Sequence, residues 1–287
     1  MSTTPRSLVM TLVLGAEARG DSMLSVRELL AGCGLFGHAE STTRVALARA
    51  VAGGLLVTPK RGFYGLGEAA RPVADEVSRW PQGESRTVEW TGRWVAIHVG
   101  AIGRSDRVAL RARERALELL GFAEFERGLH MRPDNLVGGC ASLRERFYAL
   151  LPAGVEKGTV FAVDELSPND VAHARTLWDC EGIDAGYREA TAQLMSWLDG
   201  SEKLPLDRAA REVYEIVNDS IRHLVFDPLL PKPLVNTDAR ARFRATVVRL
   251  DAIGRKIWYR FGSELRHANN RTTEVDIASI SNKETTQ

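Results

Sequence analysis

The chain has 287 residues, 44% of them hydrophobic and 26% charged, enough for two or three domains with sizeable cores. Its net charge of +1 excludes a uniformly basic nucleic-acid binder, so any basic surface has to be local and offset by acidic regions elsewhere. Three cysteines without a C-x-x-C pair exclude a disulfide framework and a zinc site and fit a reducing cytoplasm, and no apolar run reaches membrane-spanning length.

Residues 6–15 read as a first helix. The basic Arg6 and the short apolar run after it could be mistaken for a signal peptide, but they lack a convincing small-residue cleavage site, and helical patterning continues after them. Ser25-Val26-Arg27-Glu28 is a capping box, with Leu24 and Leu29 placed as a hydrophobic staple. That helix ends at the glycines of 31–34, and a short connection over 35–39 leads to a third helix over 41–52. At about 100° per residue, Thr43, Ala46, Leu47 and Ala50 share one face of it. Ser41, Arg44, Val45, Ala48, Arg49 and Ala52 share the other, where small residues would let a partner approach and two guanidinium groups reach out. Gly53-Gly54 closes the helix. Strand-like stretches over 55–58 and 63–66 follow, with Lys60-Arg61-Gly62 as their tip. Helix, capped helix, short turn, helix and basic hairpin is the order of a winged helix-turn-helix. A helix over 68–80 closes this domain, and 81–85 reads as a linker, which bounds a DNA-binding domain at 1–85.

A second pattern fills 90–165. Trp94 to Val99 is a continuous apolar run of strand length, as expected of a strand covered on both faces. A loop over 100–105, a helix over 106–120 and short strands over 122–125 and 129–131 follow, with Arg132-Pro133-Asp134-Asn135 ending the second. Ser142-Leu143-Arg144-Glu145 reads as a capping box opening a helix to 151, and 159–163 is a β-branched closing strand. The sum is β-α-β-β-α-β, a ferredoxin-like domain. The lone histidines His98 and His130 read as hydrogen-bonded structural groups rather than metal ligands. Residues 166–265 are helical, with segments over 167–178, 185–198, 206–226 and 238–261 and a proline-rich break over 227–233. From 266 to 287 the chain is polar, without a core-forming period, and reads as a disordered tail. The fold class is therefore α+β.

Three stretches in this order resemble the PaaX family of regulators, named for phenylacetic acid degradation. They are Arg44-Val45-Ala46-Leu47-Ala48-Arg49 in the third helix, Gly92-Arg93-Trp94 with Gly121-Phe122 in the middle domain, and Phe226-Asp227-Pro228-Leu229-Leu230-Pro231. The resemblance covers about residues 6–262. It departs from the family pattern at Ala50, where a leucine is usual, and in a short wing. It implies a cytoplasmic, homodimeric transcriptional repressor of a catabolic operon. Such a repressor leaves its double-stranded operator DNA when an acyl-CoA effector binds, phenylacetyl-CoA above all.

Two other classes stay open from the residues. The middle domain is similar to the small ferredoxin-like endonucleases of CRISPR adaptation, which hold a metal with an acid at the end of the first strand. Here that position reads His98-Val99-Gly100-Ala101, without a carboxylate. A DNA-independent interaction module would use the same exposed helix face against a protein. No nucleophile elbow or glycine-rich phosphate loop is present, so no catalytic residue, metal or cofactor is expected. The expected DNA contacts are Ser41 and Thr42 at the helix N-terminus, Arg44 and Arg49 along it, and Lys60 and Arg61 from the wing. An acyl-CoA ester needs cations for its phosphates and an aromatic-lined pocket for its acyl group. Arginines cluster at Arg104, Arg107, Arg111 and Arg113, and aromatics at Trp178, Tyr187, Trp197, Tyr214 and Phe226. Arg107, Arg111, Trp178 and Tyr187 are the expected effector contacts, in a pocket between the two regions.

Overall fold

The computed structural model describes residues 4–17, 20–21, 23–100 and 106–284, with side chains through residue 264. Two antiparallel sheets are combined with helices, and the C-terminal part is helical. The expected loop over 101–105, with Arg104, falls outside the described residues.

Helices α1 (Pro5–Glu17), α2 (Val26–Gly34) and α3 (Glu40–Ala52) come first, with strand β1 (Leu24–Ser25) before α2. Strands β2 (Leu56–Lys60) and β3 (Phe63–Leu66) follow, in the sheet order β1-β3-β2. The capping box forms. The Ser25 amide donates to Glu28 Oε2 at 3.0 Å, and the Glu28 amide donates to Ser25 Oγ at 3.2 Å. Thr43, Leu47 and Ala50 of α3 are buried and Ala46 half-buried, while the six residues of the other face are exposed. Lys60 pairs with Phe63 inside the hairpin, so the tip shrinks to Arg61-Gly62. Gly62 takes φ +78° there, a conformation that glycine adopts without steric cost.

The expected helix over 68–80 is broken. A 3₁₀ turn, Glu68–Ala70, precedes α4 (Arg71–Val77), and a second 3₁₀ segment, Trp80–Arg86, stands where a linker was expected. Proline, glutamine and glycine there signal irregular backbone, and irregular backbone can still be firmly held. Trp80 is part of the C-terminal core. Glu84 accepts from Arg240 Nε at 3.1 Å and from Arg244 Nε at 3.0 Å, and Arg244 Nη1 donates to the Pro81 carbonyl at 2.9 Å.

The second sheet holds β4 (Trp94–His98), β5 (Ala123–Glu126), β6 (Leu129–Pro133) and β7 (Thr159–Val163) in the order β5-β6-β4-β7, all neighbours antiparallel. Its helices are α5 (Arg107–Leu119) and α6 (Gly139–Leu150). Val95 and Ile97 of β4 face a core with Leu117, Leu143 and Phe147. Trp94 and Ala96 face Met131 and Ala174, the latter from α7 (Pro168–Arg175). Cover on both faces is why β4 reads as an unbroken apolar run. Two local expectations are corrected. Arg132 and Pro133 belong to β6 rather than ending it. Ser142 does not cap α6, because Gly138 and Gly139, at φ +83° and +52°, turn the chain into the helix earlier.

Helices α8 (Cys180–Gly200), α9 (Leu206–Val225) and α10 (Thr237–Glu284) complete the chain. α8 begins ahead of the expected 185, behind Asp179, whose carboxylate accepts from the Gly182 amide at 2.9 Å. α10 runs through most of the expected polar tail over 266–287; no proline follows Pro233 to interrupt it. The three parts interlock. Tyr214 of α9 is buried in the core built by α1, α2 and α3, with Trp258 of α10 packed beside it. Leu229 is buried in the core of the second sheet.

Candidate nucleic-acid interface and a second cleft

The exposed face of α3 is formed by sequence periodicity alone: every fourth or third residue goes into the core, and what remains points out. Ser41 and Thr42 are exposed in its first turn. The N-cap is Ala39, which supplies no side-chain cap, so the first amides keep their capacity to donate to an incoming oxygen. Arg44 lies 3.6 Å from Glu40 with both side chains largely in solvent, an ion pair worth little and easily exchanged. Arg49 is exposed in the last turn, and Val45 is 49% exposed between the two arginines. From the wing, Lys60 Nζ sits 5.2 Å from the Phe63 ring centroid, and Arg61 is exposed at the tip. All six residues expected to meet DNA thus lie at the surface of the same small helix-and-hairpin unit.

Behind this unit, Phe36 occupies the connection between α2 and α3. Its ring packs edge-on against Tyr214 at 5.0 Å, and Arg211 lies over it at 5.9 Å. Tyr214 in turn meets Trp258 at 6.0 Å. Burial pushes the Tyr214 hydroxyl up to about 12.

A cleft of about 720 Å³ opens between the second sheet's domain and the C-terminal helices. Trp178 and Tyr187 line it, as expected, together with Phe122 and Phe226. Arg107 and Arg111 do not. They are exposed nearer the start of α5, and that helix offers the cleft Glu118 instead. The arginine at the cleft is Arg222 of α9, 5.8 Å from the Phe226 ring, with Asp219 one turn before it. Sequence reasoning missed Glu118, Asp219, Arg222 and His223. For the last three the signal available was spacing on α9, where positions 219, 222 and 223 share a face with Phe226, the aromatic residue already singled out; nothing local marks Glu118 of α5.

The floor of the cleft is formed by Phe226, Asp227 and Pro228. Asp227 is buried, accepting from Tyr187 Oη and from the Leu229 amide, both at 2.7 Å, and lies 3.9 Å from Arg240 Nη1. Burial raises its pKa against the pull of Arg240. The Tyr187 hydroxyl is pushed up by burial first and by Asp227 second, so it stays a hydrogen-bond donor. Gly121, at φ +74°, lets the second sheet's domain approach: a Cβ there would lie 2.7 Å from Pro228 Cα.

His223 stacks on Tyr187 at 5.6 Å and 20° and touches Phe243 at 5.0 Å. Burial lowers its pKa below 6.5, while Asp227 opposes this. The folded state therefore binds fewer protons than the unfolded chain near that value, and stability rises with pH. The contribution is present above pH 6.5 and is lost as pH falls through the depressed folded value. His223→Phe is expected to flatten the acid limb of the melting temperature between neutral pH and pH 5. An unchanged limb would show that His223 is not the group responsible.

Residues 4–70 match the PaaX-like protein family. The matched PaaX-like segment contains α1, α2, α3 and the hairpin, including Arg44 to Arg49, one of the three stretches that carry the resemblance; the other two lie beyond it. A solved structure, the uncharacterized protein Rv0674 from Mycobacterium tuberculosis, is similar over 90% of this chain and 98% of its own, with 25% sequence identity and a TM-score of 0.56. No curated protein matches the chain. Among the described residues, no helix is long and apolar enough to cross a membrane.

Proposed function

We propose that the chain is a DNA-binding transcriptional regulator that lays α3 in the major groove and the β2–β3 hairpin against the flanking backbone. The two sheets are assigned to a winged helix and to a ferredoxin-like domain with strand order β5-β6-β4-β7. The observation that carries the reading is the exposed face of α3, where Arg44, Val45 and Arg49 stand together beside the Lys60-Arg61 hairpin. Arginine pairs with guanine edges, valine suits a thymine methyl, and the uncapped first turn suits a phosphate. The PaaX-like match over the same residues supports it. The chain acts as a homodimer on an inverted repeat, since one winged helix reads few base pairs. It has no catalytic role in this reading and represses a catabolic operon.

The test is selection of binding sites from a randomised duplex library by the full chain, followed by affinity measurements on the enriched sequence. Inverted repeats are expected. Arg44→Ala and Arg49→Ala should each weaken binding by about 1–3 kcal/mol without altering the melting temperature. No enrichment, or unchanged affinity of both variants, sinks the reading.

An effector seated in the cleft would release the DNA. The acyl group of an acyl-CoA ester suits Phe122, Trp178 and Phe226; among the lining residues Arg222 is the one arginine or lysine and it stands with Glu118 and Asp219, so the CoA phosphates have to extend out of the cleft into solvent. α9 lines the cleft with Asp219 and Arg222 and, further toward its start, braces Phe36 with Tyr214 and Arg211. A ligand that shifts α9 would therefore act on the connection between α2 and α3, provided it binds the DNA-free arrangement better. Titration of the DNA complex with phenylacetyl-CoA, other acyl-CoA esters and the free acids checks this. Trp178→Ala should raise the releasing concentration about tenfold, the effect of losing about 1.4 kcal/mol of contact; release by free acids alone would exclude the thioester class.

A further inference from the structure

The chain is nearly neutral overall, with 38 basic and 37 acidic side chains, yet α10 concentrates positive charge. Between positions 242 and 260 it carries Arg242, Arg244, Arg249, Arg255, Lys256 and Arg260 against Asp251 alone. These cations are not equivalent. Arg244 bonds Glu84, and Arg255 bonds Asp251. Arg242, Arg249, Lys256 and Arg260 are exposed, and among the described residues none of the four has an ion-pair partner. Two exposed arginines of α9, by contrast, are matched four residues away, Arg208 by Glu212 and Arg211 by Glu215.

At about 100° per residue, the four unmatched cations fall within an arc of about 40°, opposite the buried Phe243, Val247 and Leu250. Three of them are seven residues apart, about 10.5 Å along the axis, and the row from Arg242 to Arg260 is about 27 Å long. The face is bracketed by Asp238, which lies 3.6 Å from Lys232, and by Glu264. Between the cations stand Ala245 and Ala252, both exposed and too short to hold off a partner or read a base edge. Tyr259, 73% exposed, adds a hydroxyl beside Arg260.

We propose that this row of cations binds the phosphate backbone of duplex DNA without reading its sequence. A rigid, straight row of charges on a face free of acids is complementary to the grooved, polyanionic side of a duplex. Its length spans about eight base-pair steps of 3.4 Å, so its cations can meet phosphates where the strands cross the row. The proposal rests on the DNA-binding reading above but concerns different residues, and it explains how a chain with a short wing and near-zero net charge could hold DNA outside the recognition site.

The experiment uses the full chain and a mixed-sequence duplex of thirty base pairs, about 100 Å long. Arg242, Arg249, Lys256 and Arg260 are replaced together by glutamine, which keeps helix propensity and removes charge. If all four reach phosphates, the slope of log K against log salt should fall by about 3–4, so the affinity advantage of the wild type should shrink on the order of 100-fold between 50 and 200 mM salt. Circular dichroism should stay unchanged. An unaltered slope overturns the proposal while leaving the effect of Arg44→Ala and Arg49→Ala intact. An unaltered slope with loss of dimer by light scattering would reassign the row to a protein interface. Absence of any duplex binding by the wild type would instead remove the DNA-binding reading itself, and this proposal with it.

Discussion

Arg132→Ala should be the most destabilising single change in the chain, costing about 3–5 kcal/mol out of a total stability of about 5–15 kcal/mol. Arg132 is 1% exposed, yet none of its hydrogen bonds goes to a carboxylate. Its guanidinium donates to the Leu120 and Pro228 carbonyls, the latter at 3.0 Å, to the Pro133 carbonyl at 3.2 Å, and to Asn135 Oδ1 at 3.2 Å. Burial lowers its pKa to about 9, still above neutral, so the donor set stays charged. Alanine would strand buried carbonyls, each costing about 1–3 kcal/mol, and leave a cavity as well. Lysine, a point donor without the fork, should restore less than half of the loss. Urea unfolding of the full chain measures both variants. A cost below about 1 kcal/mol for Arg132→Ala would mean that water replaces the guanidinium without penalty.

Asp227→Ala should follow closely, at about 3–4 kcal/mol, because it removes one member of a buried charged pair and leaves Arg240 without that partner. Three further consequences come from the same oxygen atoms. Tyr187 loses its acceptor, the Leu229 amide loses its own, and Leu229 must hold φ +50° without that brace. Asp227→Asn keeps an acceptor of similar shape and should cost about half as much, since the carboxylate is already disfavoured by burial. Thermal unfolding compares the two variants. Equal costs would show that the charge opposite Arg240 contributes everything and the acceptor geometry nothing.

These two residues mark where the sequence was least legible. Arg132 stood in a run, Arg-Pro-Asp-Asn, whose composition signals the end of a strand. Its role comes from a carbonyl at Pro228, nearly a hundred positions away, which no local pattern encodes. Asp227 sat in a segment recognisable by its prolines as a break, but the segment's function as the floor between two domains depends on Gly121, Tyr187 and Arg240 meeting there. By contrast, α3 and its two faces were readable, because periodicity alone divides Thr43, Leu47 and Ala50 from Arg44, Val45 and Arg49. The capping box at Ser25 was readable for the same reason: all its parts lie within four residues. The box expected at Ser142 failed because Gly138 and Gly139 could start the helix sooner. At the cleft, Trp178 and Tyr187 were legible as aromatics, whereas the presence there of Arg222 and not of Arg107 or Arg111 depends on how α5 and the second sheet pack against α9.

Tyr214 and Trp258 lie 162 and 206 positions beyond the end of α3 (214 − 52 and 258 − 52) and yet help to build the core of α1 to α3. The N-terminal unit is therefore not a portable cassette. A fragment ending after the hairpin would expose Phe36 and the α2 surface around Gly32 that Trp258 covers. Chimeras that graft this N-terminal segment onto another sensor would have to carry α9 and the middle of α10 with it. In the proposed reading the same fusion of parts ties DNA recognition to the helix that lines the cleft: a substitution at Phe36, Tyr214 or Trp258 would disturb the packing between the two.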